Sequence, residues 1–340
     1  MLSVIRYQDA KSFLKEIKEA LKEEKNELDH MLFLWAAIRL SKEQGSINER
    51  SYCGAVWRTG ENDGNEKSLV FAMVMREHDS LRFTSLFTED IQTEGRQAVA
   101  LLISDIRIVS LRNKDMISSI DGKDSTIQLV KEVWEDQQHQ QQQQHFKSNN
   151  NNSAMSQVIF DLNPSFHSWC YTVRRSDIDA LSKKSIQKQQ QGYFLRQATV
   201  IEVPLLINWL TDYFYHYKDY FPSQHFLQMI DTLVFTKITT ELCSGNIYFF
   251  CDPSGLPISM IWKFTPLEIG TSLGYVYTPP ESRNKGIGSA MVGAFSLKLL
   301  EAYRYINITV EGKQDPDDNM YTRLGYHFDG RESCYQLVSK

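Results

Sequence analysis

Apolar residues near the start of the chain recur at helical spacing. Phe13, Ile17 and Leu21 fall every four positions with lysine and glutamate on the opposite face, which predicts helix over 11–40. Three apolar runs, at 51–57, 68–75 and 81–87, read as strands, and helical patterns return at 94–104 and 125–135. The pattern then stops at DQQHQQQQQHFKSNNNN (136–152), whose composition buries too little apolar surface to offset the entropy of ordering it. Because the apolar runs QVIF and SWCYTV continue one domain beyond it, the tract reads as a Gln/Asn-rich loop insertion at about 136–153. The polar run SKKSIQKQQQ (182–191) is the better boundary, giving domains at 1–188 and 192–340.

The second part is more regular. A strand at 193–197 leads to a helix carrying Leu206, Trp209, Leu210, Tyr213 and Tyr217 on one face, then a helix over 224–242. Strands follow at 246–251, 257–264 and 271–277, a helix at 286–302, a strand at 305–310, a short helix near 317–324, and strands at 326–329 and 333–338. The order β-α-α-β-β-β-α-β-α-β predicts an α/β layer on a mixed sheet.

Composition narrows the partners. A length of 340 residues suits about two domains. A net charge of −5 argues against general nucleic-acid binding, so any bound anion needs a local positive site. Five scattered cysteines without a C-x-x-C pair indicate neither zinc nor a disulfide framework, and suit a reducing interior. The apolar stretch 31–38 is far short of the ~20 residues that span a bilayer. The charged N-terminus does not resemble a signal peptide. The expectation is a cytoplasmic protein with no membrane, nucleic-acid or metal partner.

The chemistry concentrates in VYTPPESRNKGIGSA (276–290), a strand, a proline stop and a glycine-opened helix. Gly286 and Gly288 leave the amides there unshielded. The first N–H groups of a helix lack internal partners and carry roughly half a positive charge, which suits phosphate oxygens. Arg283 and Lys285 add mobile positive charge. An ordinary strand–helix turn would look similar on these residues alone. The P-loop pattern and the three-glycine dinucleotide fingerprint are both absent.

RNKGIG (283–288) resembles the [QR]-x-x-G-x-[GA] pyrophosphate loop of the GNAT superfamily, the acetyl-CoA-dependent N-acetyltransferases. VYTPPESRNKGIGSAMVGA (276–294) is similar to the V-Y-T-P-P-x-x-R-x-x-G motif of one bacterial-type branch. QDPDDNMYTRLGY (314–326) is similar to that branch's N-P-x-x-N-x-[IL]-Y-x-x-[IL]-G-[YF] segment, with Asp315 in place of asparagine. The resemblance implies an α/β fold of two GNAT-like domains, each a mixed, mostly antiparallel twisted sheet flanked by helices. The first would be degenerate: its nearest stretch, EGRQAVA (94–100), has one glycine, ahead of the arginine, so it is not expected to bind CoA.

The resemblance also implies roles. Val276, Tyr277 and Thr278 would offer backbone groups to the pantetheine arm. Arg283, Asn284, Lys285, Gly286, Ile287, Gly288 and Ser289 would hold the pyrophosphate, and Asn319 would contact the CoA arm. Tyr321 would stand near the thioester sulfur and protonate the leaving thiolate, as direct acyl transfer requires a proton donor there. Asn319 could equally cap a short helix, and Tyr321 could be packing. Glu268 and Glu311 are the carboxylates near the cleft, but no general base stands out. His216 and Tyr220, in the aromatic run 213–221, could face the acceptor, and His327 reads as a plain strand residue. The expected activity is transfer of acetyl from acetyl-CoA, the one co-substrate, to a small-molecule or peptide amine. Transfer of a longer acyl group, or a CoA-binding scaffold that contacts a partner through the glutamine tract, are the alternatives.

Overall fold

The computed structural model describes residues 1–23, 25, 29–43, 47, 51–60, 67–76, 80–110, 117, 119–148, 158–160, 164, 166–216, 234–264, 267–311 and 315–339. The chain divides into two compact units, Met1–His167 with Arg331–Lys340, and Ser168–Gly330. No helix among the described residues is long and apolar enough to cross a membrane.

The first unit holds β1 (Leu2–Arg6), α1 (Ala10–Ala20), α2 (Met31–Glu43), β2 (Tyr52–Thr59), β3 (Lys67–Met75) and β4 (Leu81–Phe83). It continues with α3 (Arg96–Ser110), β5 (Ser119–Lys123), α4 (Asp124–Ser148) and β6 (Val158–Phe160). The helix predicted over 11–40 is thus two helices. Asp9 starts the first by accepting from the amides of Lys11 and Ser12. On α3, Ala98, Val99, Leu102, Ile103 and Ile106 form the apolar stripe that packs on Val56, Phe71 and Met73 of the sheet.

The expected loop insertion at 136–153 is corrected: α4 runs through the glutamine tract to Ser148. Buried Ile127, Val130, Val133 and Trp134 anchor the helix. Glutamine is a good helix former, and extending an existing helix needs no new nucleation. Gln137 donates from Nε2 to the Ala100 carbonyl (2.9 Å) and Ser104 Oγ (3.0 Å), tying the first turn of the tract to α3. Residues 149–153 lie outside the described residues. Gln137→Ala is expected to cost about 1 kcal/mol, the usual net value of such bonds. Deleting 140–152 while keeping Gln137 should cost less, as compared by chemical denaturation.

The second unit holds β7 (Phe166–Arg174), α5 (Ile178–Gln190), β8 (Phe194–Gln197), α6 (Val203–His216), α7 (residues 234–243), β9 (Ile247–Cys251) and β10 (Pro257–Lys263). β11 (Gly270–Tyr277), α8 (Ile287–Leu300), β12 (Tyr305–Glu311) and β13 (His327–Ser339) complete the chain. Residues 224–233 of the predicted second helix, with Tyr217 and Tyr220, lie outside the described residues. The division differs from the boundary expected at 188–192. The polar run 182–191 lies mostly inside α5, which is held in the second unit by completely buried Leu181 and Ser185. A side chain at Gly293 of α8 would come within 2.9 Å of the Leu181 carbonyl, so glycine lets the two helices close up. The two strands predicted at 326–329 and 333–338 are one, passing through Gly330 at φ 136°.

Both units have the same sheet plan. In the first, β1-β2-β3-β4 are antiparallel neighbours and β4 runs parallel to β5. In the second, β8-β9-β10-β11 are antiparallel neighbours and β11 runs parallel to β12. Each plan is finished by an exchanged strand. β7, which follows the elements of the first unit, pairs antiparallel with β12 from Tyr305↔Arg174 to Glu311↔Ser168. The end of β13 returns to pair with β5 from Glu332↔Lys123 to Gln336↔Ser119.

Candidate active site

The parallel ladder of β11 and β12 runs from Gly270↔Tyr305 to Leu273↔Ile308 and stops, although both strands continue. The cause is a β-bulge. Met260 and Trp262 of β10 pair with Tyr277 and Gly274, so β11 spends one extra residue over that interval and bends away from β12. Tyr275 takes φ 45°, a region side chains occupy only at a cost of about 1–3 kcal/mol. Packing holds it there: the rings of Tyr213, Phe214, Trp262 and Phe264 surround that of Tyr275 at 4.8–5.7 Å. Lys237 donates to its hydroxyl. A side chain at Gly274 would strike the Phe264 ring at 1.9 Å. The fork that results has Val276 and Tyr277 on its β11 limb and Val310 and Glu311 on its β12 limb.

The glycine turn sits after the β11 limb. Asn284 and Gly286 adopt φ 60° and 72°, both left-handed, and α8 starts at Gly286 with no side chain capping its N-terminus among the described residues. Ile287 is buried, so it offers only its backbone, while Ser289 is half-buried. A side chain at Gly286 would meet nothing within 4 Å, and one at Gly288 only Thr278 Oγ1 (3.4 Å) and Met320 Sδ (3.7 Å). The space over the helix start is open because these residues are glycine.

The basic residues and the strand end also have partners inside the protein. Arg283 donates from Nε to the Thr278 carbonyl (2.8 Å) and Lys285 from Nζ to the Glu281 carbonyl (2.7 Å), so both cations brace the turn while remaining exposed beside it. The Tyr277 carbonyl accepts from Ser259 Oγ at 2.6 Å, and its hydroxyl donates to Asp212 at 3.1 Å. Burial and the Asp212 carboxylate push that hydroxyl up to about 12. The backbone oxygens of Tyr277 and Thr278 are therefore partly spoken for inside the protein.

Asn319 has the bonding of a cap, one of the two readings its sequence allowed. Its side chain is buried and committed: Nδ2 donates to Tyr171 Oη (2.8 Å) and to the carbonyls of Asp315 and Pro316 (3.1 Å each). Its Oδ1 accepts from the amides of Tyr321 (2.8 Å) and Thr322 (3.2 Å). It caps the turn that presents Tyr321. The Tyr321 ring is half-buried, stacked on Tyr171 at 5.9 Å and set edge-on to Tyr326. The turn is near the glycines, since Met320 is what a side chain at Gly288 would meet.

Among the carboxylates, Glu268 is exposed, whereas Glu311 ends the β12 limb half-buried. Burial holds the Glu311 carboxyl above its ordinary range, against the opposing pull of His216 at the end of α6. His327 is exposed and lies 3.4 Å from Asp177. The bulge at Tyr275 and the bond from Ser259 were not foreseen. The Gly274-Tyr275 step inside an apolar run was the available sign, since an isolated glycine in a strand often marks a bulge.

The matching place in the first unit is closed. The β4–β5 ladder ends at Arg82↔Asp121, and the Phe83 ring lies where a side chain at Gly122 would go. The cavity left there is about 10 Å³, room for a single water. The turn into α3 is filled by its own acids. Asp90 caps the amide of Thr93 at 3.0 Å, and Glu94 is held by both Arg58 and Thr88, which bring its carboxyl down to about 2. A larger groove of about 660 Å³ lies over Trp57 and Leu69; two of the cations that line it, Lys67 and Arg58, are paired with Glu16 and Glu94.

A family model described as FR47-like protein matches residues 255–336, which take in the fork, the glycine turn and the Tyr321 segment. No curated protein matches the chain. Among solved structures, a tandem GNAT protein from the clavulanic acid biosynthesis pathway is 9% identical, with a TM-score of 0.53 over 100% of this chain and 98% of its own. A GNAT-family acetyltransferase from Colwellia psychrerythraea is 9% identical, with a TM-score of 0.52 over 99% of each chain. A GCN5-related N-acetyltransferase from Sphaerobacter thermophilus is 11% identical, with a TM-score of 0.51 over 99% of this chain and 95% of its own. The chain has the tandem GNAT fold.

Proposed function

We propose that the protein is an acyltransferase whose second unit transfers the acetyl group of acetyl-CoA to a primary amine. The observation that carries this reading is the uncapped start of α8, open at Gly286 and Gly288, beside a fork between two parallel strands. The residues fit the group. The unshielded amides around 286–289 suit two phosphates, and the side chains missing at both glycines would fill the space those phosphates need. Arg283 and Lys285 add positive charge at the rim without being its principal ligands. The thioester supplies an acyl carbon open to attack and a thiolate that must leave. Tyr321, set in place by Asn319, is the group on hand to protonate that thiolate.

Calorimetric titration of the full chain with acetyl-CoA should give one site per chain, because Asp90 and Glu94 occupy the equivalent turn of the first unit. Two sites of similar affinity would refute the assignment to the second unit alone, and no binding would refute the function.

A further inference from the structure

β12 has two unlike faces. Ile306, Ile308 and Val310 belong to the core under α8, so strand alternation turns Asn307, Thr309 and Glu311 to the other side. That second face begins beside the last rungs of the ladder and runs out along the open limb of the fork. Its groups accept hydrogen bonds. Asn307 is almost wholly buried, donates from Nδ2 to Thr172 Oγ1 (3.2 Å), and leaves Oδ1 with no partner among the described residues. Thr309 adds a hydroxyl and Glu311 a carboxylate, on which His216 at the end of α6 exerts a downward pull.

Building on the acyl-transfer reading, we propose that this face of β12 seats the acceptor, that Glu311 takes the proton its ammonium must lose, and that the substrates are cationic primary amines without an α-carboxylate. An ammonium brings three donors to a strand face rich in acceptors. An amino acid would set its own carboxylate against Glu311, and like charges at close range are disfavoured. In the reaction the ammonium gives one proton to Glu311. The freed nitrogen forms the N–C bond as the thioester C–S bond breaks; the sulfur leaves as the thiol with a proton from Tyr321, and the second proton that the nitrogen must shed to become an amide returns Tyr321 to its phenol.

The test compares putrescine with glycine as acceptors for the full chain with acetyl-CoA, alongside calorimetric binding of acetyl-CoA. Putrescine should be preferred at least about tenfold in kcat/KM. Glu311→Gln should lower kcat for putrescine by about 10²-fold, with acetyl-CoA binding intact and partial rescue in Glu311→Asp. If the glutamine variant does not fold, His216→Asn carries the test. His216 pulls the Glu311 carboxyl down, so losing it raises the Glu311 pKa and the rising limb of the pH–rate curve should move to higher pH. A preference for glycine, or a folded Glu311→Gln enzyme with wild-type rate and pH profile, would overturn the inference while acetyl-CoA still bound. Failure of the wild-type chain to bind acetyl-CoA would overturn the reading beneath it.

Discussion

Replacing Tyr321 with phenylalanine should lower kcat by about 10²-fold and leave the affinity for acetyl-CoA nearly unchanged. The ring is held by stacking on Tyr171 and by the edge of Tyr326, and its backbone by the Asn319 cap, none of which needs the hydroxyl. The substitution therefore removes the proton donor from an intact turn. General acid catalysis typically contributes ~10²–10⁴-fold. A thiol pKa near ~8.5 makes a thiolate a fair leaving group even unprotonated, which places the loss at the lower end. That is roughly 2.7 kcal/mol of barrier at ~1.36 kcal/mol per tenfold. Single-turnover measurement isolates the chemical step; a phenylalanine variant as fast as wild type there would reduce Tyr321 to packing. Asn319→Ala offers a contrast. It should lower both stability and kcat, because the buried amide supports the turn through five hydrogen bonds.

Gly288→Val should do the reverse, weakening acetyl-CoA binding by about 10–100-fold with the fold intact. The new Cβ would lie 3.4 Å from Thr278 Oγ1 and 3.7 Å from Met320 Sδ, ordinary contact distances, and Gly288 is not among the glycines with positive φ. The added branches project over the amides that open α8. Hydrogen bonds to charged groups are worth ~1.5–3 kcal/mol each, so blocking even one accounts for the range. The effect belongs in the dissociation constant for acetyl-CoA, measured by calorimetry, with an unchanged melting temperature. An unchanged dissociation constant in a folded variant would make the turn merely structural.

The parts of this site that could be read from the sequence are those where backbone chemistry dictates residue type. Two glycines opening a helix after a strand mark unshielded amides, and that is what α8 has. The fork was anticipated only through resemblance. Its physical cause, the Tyr275 bulge, depends on four aromatic rings from α6, β10 and the segment after it, which no local pattern reports. Asn319 was ambiguous for a similar reason. Cap and ligand contact use the same amide, and only the position of Tyr171, 148 residues away, decides between them. The glutamine tract was misread because its composition measures core-forming capacity, whereas its helix is inherited from the buried turns before it.

The exchanged strands bear on how the chain is made. The first unit has its parallel pair once residue 123 is synthesised, yet the strand that borders β5 is supplied by 331–339. On a ribosome adding ~5–20 residues per second, that edge stays exposed through the synthesis of some two hundred further residues. An unpaired strand edge is a template for joining another chain. Nascent chains of this protein should depend on chaperone cover until residues 331–339 have emerged, and a nonsense mutation at position 331 should harm the half of the molecule that was made first.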